Sequence, residues 1–276
     1  MTMPDDLPVT DLLVTDLLVT ELRELARRVA VEATELATRL RSVGLSVERK
    51  STVTDLVTNA DRACEELILG RLADARPDDA TLGEEGGATE GSSGVRWVID
   101  PIDGTTNYVY DHPGWACSIA AEVGGVAVAG AVVVPTLGAV FTAGAGQGTT
   151  LGSRMLRIAE PPRLTEALVA TGFGYEARRR RHQAVILSHV LPRGRDIRRA
   201  GAAAVDLCSV AAGRVDAYYE TGLGPWDLAA GALIATEAGA RVGSLDGGPA
   251  VAGELVIATH PDLFDALCAL LREGGA

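Results

Sequence analysis

The stretch Val98-Ile-Asp-Pro-Ile-Asp-Gly-Thr-Thr-Asn107 places two carboxylates, a proline, a glycine and small polar residues directly after an apolar run. The run 96–99 predicts a β-strand, so Asp100 is expected at its carboxyl end, where α/β folds place ligands. Pro101 restricts the turn and therefore holds Asp103 at a fixed offset from Asp100. Two carboxylates this close repel each other unless a cation lies between them, and hard oxygen ligands favour Mg²⁺ over zinc.

The residues after Asp103 favour an anion site beside that cation. Gly104 allows close backbone approach. The segment Thr105-Thr-Asn107 has the small polar residues of a helix N-terminus, whose free N–H groups bind phosphate. A metal beside a phosphate cradle is the arrangement that phosphate-ester chemistry needs. The alternative interpretation is an Asx-turn followed by a capped helix, in which both aspartates only accept backbone hydrogen bonds.

Acids elsewhere in the chain favour the metal interpretation. Glu84 and Glu85 lie in the glycine-rich segment Gly83-Glu-Glu-Gly-Gly87, a poor place for a structural acid and a usable place for a metal ligand. Asp227 follows Pro225-Trp at the start of a predicted helix, where it could interact with the helix dipole alone. Each acid by itself has a structural explanation, whereas their combination indicates a metal site.

The composition indicates a globular protein with neither a nucleic-acid surface nor a membrane span. Its 276 residues are 47% apolar and carry a net charge of −12, which argues against a nucleic-acid partner. The most apolar stretch, 123–134, contains three glycines and is too short to cross a bilayer. Four widely spaced cysteines predict buried free thiols, and no basic targeting segment is seen at the start. We therefore expect a cytoplasmic location.

The order of predicted elements favours an α/β (α+β) layered fold. Apolar periodicity predicts helices at 22–40, 60–72, 178–190, 202–212, 226–238 and 262–271. Strands are expected at 96–99, 116–121, 126–134, 139–143, 167–170, 195–198, 215–220 and 255–258. We predict an N-terminal sub-domain, 1–160, that carries most metal ligands and a C-terminal α/β sub-domain, 161–276, that completes the site. Residues 1–20, with a repeated Thr-Asp-Leu-Leu-Val, are expected to form a flexible or helical extension, and the basic run 178–181 a solvated face.

Three motifs together resemble the inositol monophosphatase family of Mg²⁺-dependent, lithium-sensitive phosphatases, which also contains fructose-1,6-bisphosphatases. They are GEEGG with Glu84, WVIDPIDGTTNYV and GPWDLAAGALIATEAGA, and the resemblance runs from about Lys50 to the C-terminus. The resemblance implies an alternating α-β-α-β-α layered sandwich and a homodimer. It also implies hydrolysis of a small phosphate monoester, most simply myo-inositol-1-phosphate, with two to three Mg²⁺ ions.

The resemblance implies metal ligands as well. Glu84, Asp100 and the Ile102 carbonyl would hold the first ion, and Asp100, Asp103 and Asp227 the second. A third, weaker ion would lie near Glu84.

The remaining site residues follow from the same resemblance. Gly104 and Thr105 would bind the phosphate through backbone N–H groups, and Asp61 would accept a hydrogen bond from the Thr105 hydroxyl and help to activate water, with Glu84 as a further catalytic group. Lys50 would neutralise charge beside the site. The positions that contact substrate hydroxyls would be Asp103, Ala203 and Glu220.

Some residues depart from the family pattern and leave the substrate open. Tyr110 and Trp115 replace residues common near the pocket, so its rim is expected to differ. Histidinol phosphate, fructose-1,6-bisphosphate, a nucleotide, or a cyclitol or sugar phosphate are alternative substrates. A regulatory or RNA-machinery binding protein is a further hypothesis, although the acidic charge argues against direct RNA contact.

Overall fold

A computed structural model describes residues 14–50, 52 and 54–276 of the protein. Its α-helices, in chain order, are α1 (Asp16–Val43), α2 (Asn59–Ala75), α3 (Thr105–Val109), α4 (Ala177–Val190), α5 (Ala203–Ala211), α6 (Pro225–Glu237) and α7 (Pro261–Glu273). Within this part of the chain, no helix combines the length and hydrophobicity needed to cross a bilayer.

The strands form three sheets. A short antiparallel pair joins β1 (Val47–Arg49) and β2 (Leu56–Thr58). The large sheet contains β3 (Ala80–Gly83), β4 (Gly87–Thr89), β5 (Val95–Asp103), β6 (Ala116–Val123), β7 (Val126–Val134), β8 (Ala139–Gly144), β9 (Gly148–Leu151) and β10 (Arg154–Leu156), in the order β10-β9-β8-β7-β6-β5-β3-β4. The smaller sheet contains β11 (Leu168–Thr171), β12 (Asp196–Arg198), β13 (Ala217–Thr221), β14 (Arg241–Ser244) and β15 (Leu255–Thr259), in the order β12-β11-β13-β15-β14.

Helices and sheets alternate in five layers. Helices α1 and α2 cover one face of the large sheet through a shared apolar core. Helices α5 and α6 cover its other face and also pack against the smaller sheet, so they form the central layer. Helices α4 and α7 cover the outer face of the smaller sheet. The predicted α-β-α-β-α sandwich is therefore confirmed.

Helix α1 forms because its apolar residues recur on one face and Thr15 caps its start by accepting a hydrogen bond from the Leu18 backbone N–H at 3.2 Å. Leu22 and Val29 of the predicted stripe are fully buried, and each stabilises the fold by about 1.5–3 kcal/mol. Val19, in the second copy of the repeat, is also buried. Residues 16–20 of the expected flexible or helical extension are therefore helical and packed, whereas the first copy of the repeat lies mostly outside the described residues.

Strand β5 is longer than the sequence pattern indicates. It pairs with β6 as far as Asp103, with Asp100 opposite Ser118 and Asp103 opposite Ala116. Two residues on β5 thus face one on β6, which is a β-bulge. Pro101 lies in the bulge, where its missing N–H breaks no ladder hydrogen bond. The predicted end of the strand at residue 99 is therefore wrong, and the bulge sets the offset between the two aspartates.

The proposed division after residue 160 falls between β10 and β11, where the chain leaves the large sheet for the smaller one. Helices α5 and α6 follow this point but pack against both sheets. The division stays a prediction, and the shared central layer joins its two parts closely.

Candidate active site

Three buried or half-buried aspartates converge at the bulge of β5. Asp100 and Asp103 come from the strand, and Asp227 from the first turn of α6, where it accepts a hydrogen bond from the Gly224 backbone N–H at 2.6 Å. One carboxylate oxygen of each aspartate lies within 4.8 Å of the others. Asp100 also accepts from the Ile102 backbone N–H at 3.0 Å, so the expected turn contact exists together with the cluster.

The electrostatics of this cluster favour a cation. Burial raises the pKa of Asp100 and of Asp103 well above the usual range, and neighbouring carboxylates raise it further. Burial and Glu84 together raise the pKa of Asp227 to about 7. Three carboxylates held this close repel one another, and a divalent cation would relieve both the repulsion and the desolvation. The donor set consists of hard oxygen atoms, which fits Mg²⁺.

Glu84 lines the same cleft but lies outside the tight triad. Its Oε1 accepts from the Lys50 ammonium at 2.8 Å, and Lys50 also forms an ion pair with Glu85. Burial lowers the pKa of Lys50, but the two carboxylates outweigh this effect and raise it above its ordinary value. Lys50 thus stays charged beside the cleft.

Asp61 divides its two oxygens between a helix cap and the site. Its Oδ2 accepts from the Thr58 backbone N–H at 2.8 Å and the Thr58 hydroxyl at 2.6 Å, which completes a capping box at the start of α2. Its Oδ1 accepts from the Thr105 hydroxyl at 3.2 Å. Burial raises the pKa of the Asp61 carboxyl, although the Thr58 hydrogen bonds oppose this. Asp61 therefore makes both the helix-capping contact with Thr58 and the contact with Thr105.

The segment after the bulge places Gly104 and Thr105 at the floor of the cleft. Gly104 has φ 87°, and a Cβ there would lie 3.0 Å from the Ala202 Cβ, so a side chain would be strained and crowded. Thr105 begins α3, and its hydroxyl is also 3.1 Å from the Ile102 carbonyl oxygen. The carbonyl of Ile102 thus faces the site while its side chain is buried in the core.

The second half of the chain completes a cleft with a volume of about 140 Å³. Asp103 accepts from the Ala204 backbone N–H at the start of α5, at 2.8 Å, and Ala203 lines the cleft beside it. Glu220, at the end of β13, also lines the cleft and accepts from the Tyr218 hydroxyl at 2.8 Å. Burial raises the pKa of Glu220 to about 7.

Two arginines that the sequence pattern did not identify line the cleft. Arg199 lies in the loop before α5, and Arg179 lies near the start of α4 and extends across Gly222. All four arginines of the run 178–181 are exposed, as expected for a solvated face, and Arg179 also lines the cleft. The pairing of Arg198 and Arg199 directly before a Gly-Ala helix start was the available signal for Arg199.

Tyr110 and Trp115 do not shape the cleft as expected. Trp115 is buried and packs edge-on against Tyr108, with ring centroids 4.9 Å apart. Tyr110 is 76% exposed, and neither residue is among those that line the cleft. Both follow α3 in the chain, and Trp115 belongs to the core that α1 shares with the large sheet.

Comparisons with known proteins agree with this geometry. Residues 18–276 match the model of the inositol monophosphatase family. The inositol-1-monophosphatase SuhB of Mycobacterium tuberculosis strain H37Rv is 46% identical over 99% of this chain and 97% of its own length. The Nus factor SuhB of Vibrio cholerae is 39% identical over 80% of this chain and 84% of its own.

A solved structure shows the same fold. The extragenic suppressor protein suhB of Bartonella henselae superposes with a TM-score of 0.86 at 34% identity, covering 91% of this chain and 98% of that one. With the layered sandwich and the family match over nearly all of the sequence, the chain belongs to the inositol monophosphatase family and is a phosphoric monoester hydrolase.

Proposed function

We propose that the protein hydrolyses a small phosphorylated polyol, with myo-inositol-1-phosphate as its substrate, in a Mg²⁺-dependent reaction that releases inositol and phosphate. The observation that carries this proposal is the carboxylate triad of Asp100, Asp103 and Asp227 in a cleft that also presents Glu220. A carboxylate can accept hydrogen bonds from two neighbouring hydroxyl groups, which suits a polyol.

The metal ligands in this proposal are those the motifs imply. Glu84, Asp100 and the Ile102 carbonyl would hold one Mg²⁺, Asp100, Asp103 and Asp227 a second, and a third would lie near Glu84. Bound Mg²⁺ would lower the pKa of a water molecule and stabilise the leaving oxygen. Lys50, which pairs with Glu84 and Glu85, would limit repulsion between these carboxylates and the substrate.

The side chains around the metals would position the reactants. Asp61 accepts the Thr105 hydrogen bond, so it could take up the hydroxyl proton while the Thr105 oxygen accepts a proton from the attacking water. The backbone N–H groups of Gly104 and Thr105 would bind phosphate oxygens. Asp103, Ala203 and Glu220 would contact the substrate hydroxyls from the wall of the cleft formed by α5 and β13.

The proposal also includes a homodimer, from the family resemblance, and a cytoplasmic location. All four cysteines are buried and free, as expected for a protein of a reducing compartment. Other phosphomonoesters remain alternative substrates: histidinol phosphate, fructose-1,6-bisphosphate, a nucleotide, or a cyclitol or sugar phosphate. The cleft arginines Arg179 and Arg199 favour testing substrates with a second anionic group.

A second candidate function is a regulatory interaction with the RNA polymerase machinery. It is motivated by the name Nus factor carried by the Vibrio cholerae relative. The net charge of −12 argues against direct contact with RNA, so this role would require a protein partner.

A phosphate-release screen tests the proposal. The purified chain is assayed with and without Mg²⁺ on inositol, histidinol, sugar and nucleotide monophosphates and on fructose-1,6-bisphosphate, with the Asp100→Asn variant as the control for contaminating phosphatases. We expect the highest kcat/KM on myo-inositol-1-phosphate. A higher value on another substrate would favour that alternative. No Mg²⁺-dependent release from any substrate, with RNA polymerase binding unchanged in Asp100→Asn, would favour the second candidate.

A further inference from the structure

Helix α2 carries a second buried acid, Glu65, one turn after Asp61. Glu65 lies four residues after Asp61, so both side chains leave the same face of the helix. Glu65 is only 3% exposed, although it carries no ion pair among the described residues. A buried carboxylate is costly unless hydrogen bonds satisfy it, so its partners indicate its purpose.

The partners of Glu65 are backbone groups of the loop between β3 and β4. Its Oε2 accepts from the Glu85 N–H at 2.9 Å, and its Oε1 accepts from the Gly86 N–H. Two consecutive N–H groups of this loop are thus bound by one carboxylate. Glu84, the residue before them, donates its own N–H to the Ile99 carbonyl at 3.2 Å. The backbone of Glu84 is therefore held by β5 on one side and by α2 on the other.

Glycines leave room for the Glu65 carboxylate. A Cβ at Gly83 would lie 2.5 Å from Glu65 Oε1, and a Cβ at Gly86 would overlap the same oxygen. The glycines of this segment leave the loop many conformations when it is not bound. A carboxylate inserted between them would select one conformation from this large set.

We propose that Glu65 is a positioning residue that fixes the loop 84–86 and thereby directs the Glu84 carboxylate into the cleft. The inference rests on the proposed function, because it takes Glu84 as a metal ligand. Groups that orient a metal ligand typically change metal affinity 10- to 100-fold when they are replaced.

The test compares Glu65→Gln with Glu66→Gln. Glu66 is the next residue of α2 and is exposed, so both variants lose one negative charge at nearly the same place. A glutamine at 65 accepts from one loop N–H but turns its NH₂ group towards the other. We expect the Mg²⁺ dissociation constant of the metal-free protein, measured by isothermal titration calorimetry, to rise at least tenfold in Glu65→Gln and less than twofold in Glu66→Gln.

A second pair of variants approaches the same contact from the loop. Gly86→Ala places a methyl group against Glu65, whereas Gly70→Ala adds one to α2 where no atom lies within 4 Å. Neither glycine has a positive φ, so alanine fits both backbones. We expect weaker Mg²⁺ binding in Gly86→Ala alone. This pair keeps the proposal testable if Glu65→Gln does not fold.

Glu84→Gln serves as the reference variant, because it separates a failure of the Glu65 inference from a failure of the proposed metal site. If Glu84→Gln weakens Mg²⁺ binding while Glu65→Gln and Gly86→Ala lower only the melting temperature, Glu65 is merely structural and the inference is overturned. If Glu84→Gln leaves Mg²⁺ binding unchanged, the proposed metal site fails and the inference fails with it. Weakened binding in Glu84→Gln, Glu65→Gln and Gly86→Ala, with neutral controls, supports both.

Discussion

Replacing Asp61 with asparagine separates its capping contact from its contact with Thr105. The amide oxygen of asparagine can take the place of Oδ2. It would keep the hydrogen bonds from the Thr58 N–H and hydroxyl, which Asp61 accepts at 2.8 and 2.6 Å. The amide NH₂ group then takes the place of Oδ1 and faces the Thr105 hydroxyl. Thr105 must now accept this hydrogen bond and donate to the Ile102 carbonyl, 3.1 Å away. The Thr105 hydroxyl then no longer donates to a carboxylate that could take up its proton.

The expected magnitudes follow from these contacts. The asparagine oxygen can accept the same capping-box hydrogen bonds, and the charge lost at the helix N-terminus is worth about 0.3–1 kcal/mol, so the free energy of unfolding should change by less than about 1 kcal/mol. Loss of the proton acceptor should reduce kcat by about 10²–10⁴. This corresponds to about 2.7–5.4 kcal/mol of transition-state stabilisation.

The assay measures kcat at saturating Mg²⁺ and the melting temperature for Asp61→Asn, Thr105→Ala and the double variant. Because the two residues act as one unit, the double variant should lose little more activity than the worse single variant. Asp61→Ala is the control, since it also loses the hydrogen bonds from Thr58, leaves a buried N–H without its acceptor and should be less stable by about 1–3 kcal/mol. Activity losses that multiply in the double variant, or an unchanged kcat in Asp61→Asn, would refute the reasoning.

Other outcomes can be checked with the same protein. Asp100→Asn should abolish Mg²⁺-dependent phosphate release and leave the circular dichroism spectrum unchanged, and an active variant would disprove the metal assignment. Burial raises the pKa of Asp227 and Glu220 to about 7, from about 4 in the unfolded chain, so the folded protein binds more protons between these values. The melting temperature in chelator should therefore fall as pH rises from about 4 to 7, and a rise would contradict these shifts. Glu220→Gln should raise KM for inositol phosphate about tenfold but change an aryl phosphate little; equal losses would indicate a shared catalytic role. Gly172→Ala should reproduce this pattern, because a Cβ there would overlap the Glu220 carboxylate, and normal kinetics would show that Glu220 can move.

The large elements of the fold could be predicted because their hydrophobic patterns are strong. Helix α1 repeats its apolar residues on one face over many turns, and strands β6 and β7 are long, nearly continuous apolar runs. The short strands β1 and β4 are exposed along their whole length and show no alternation, so the sequence gives no signal for them. Strand β3 pairs in parallel with β5, and this contact depends on the tertiary fold.

The candidate site shows the same limit. Asp100, Asp103 and Asp227 stand next to strand and helix boundaries that composition reveals. Glu65 has no such marker, because its place depends on how the loop 84–86 folds against helix α2. Local sequence therefore identifies the aspartates that converge and misses residues that reach the site only through tertiary contacts.

The convergence of Asp100 and Asp103 with Asp227 also has a consequence for folding. The first two belong to β5, whereas Asp227 belongs to α6, more than a hundred residues later in the chain. A cation bound by all three would be a reversible cross-link that closes this long loop, much as a disulfide does in secreted proteins. Metal concentration would then set how firmly the large sheet is held against helix α6, and not only how fast phosphate is released.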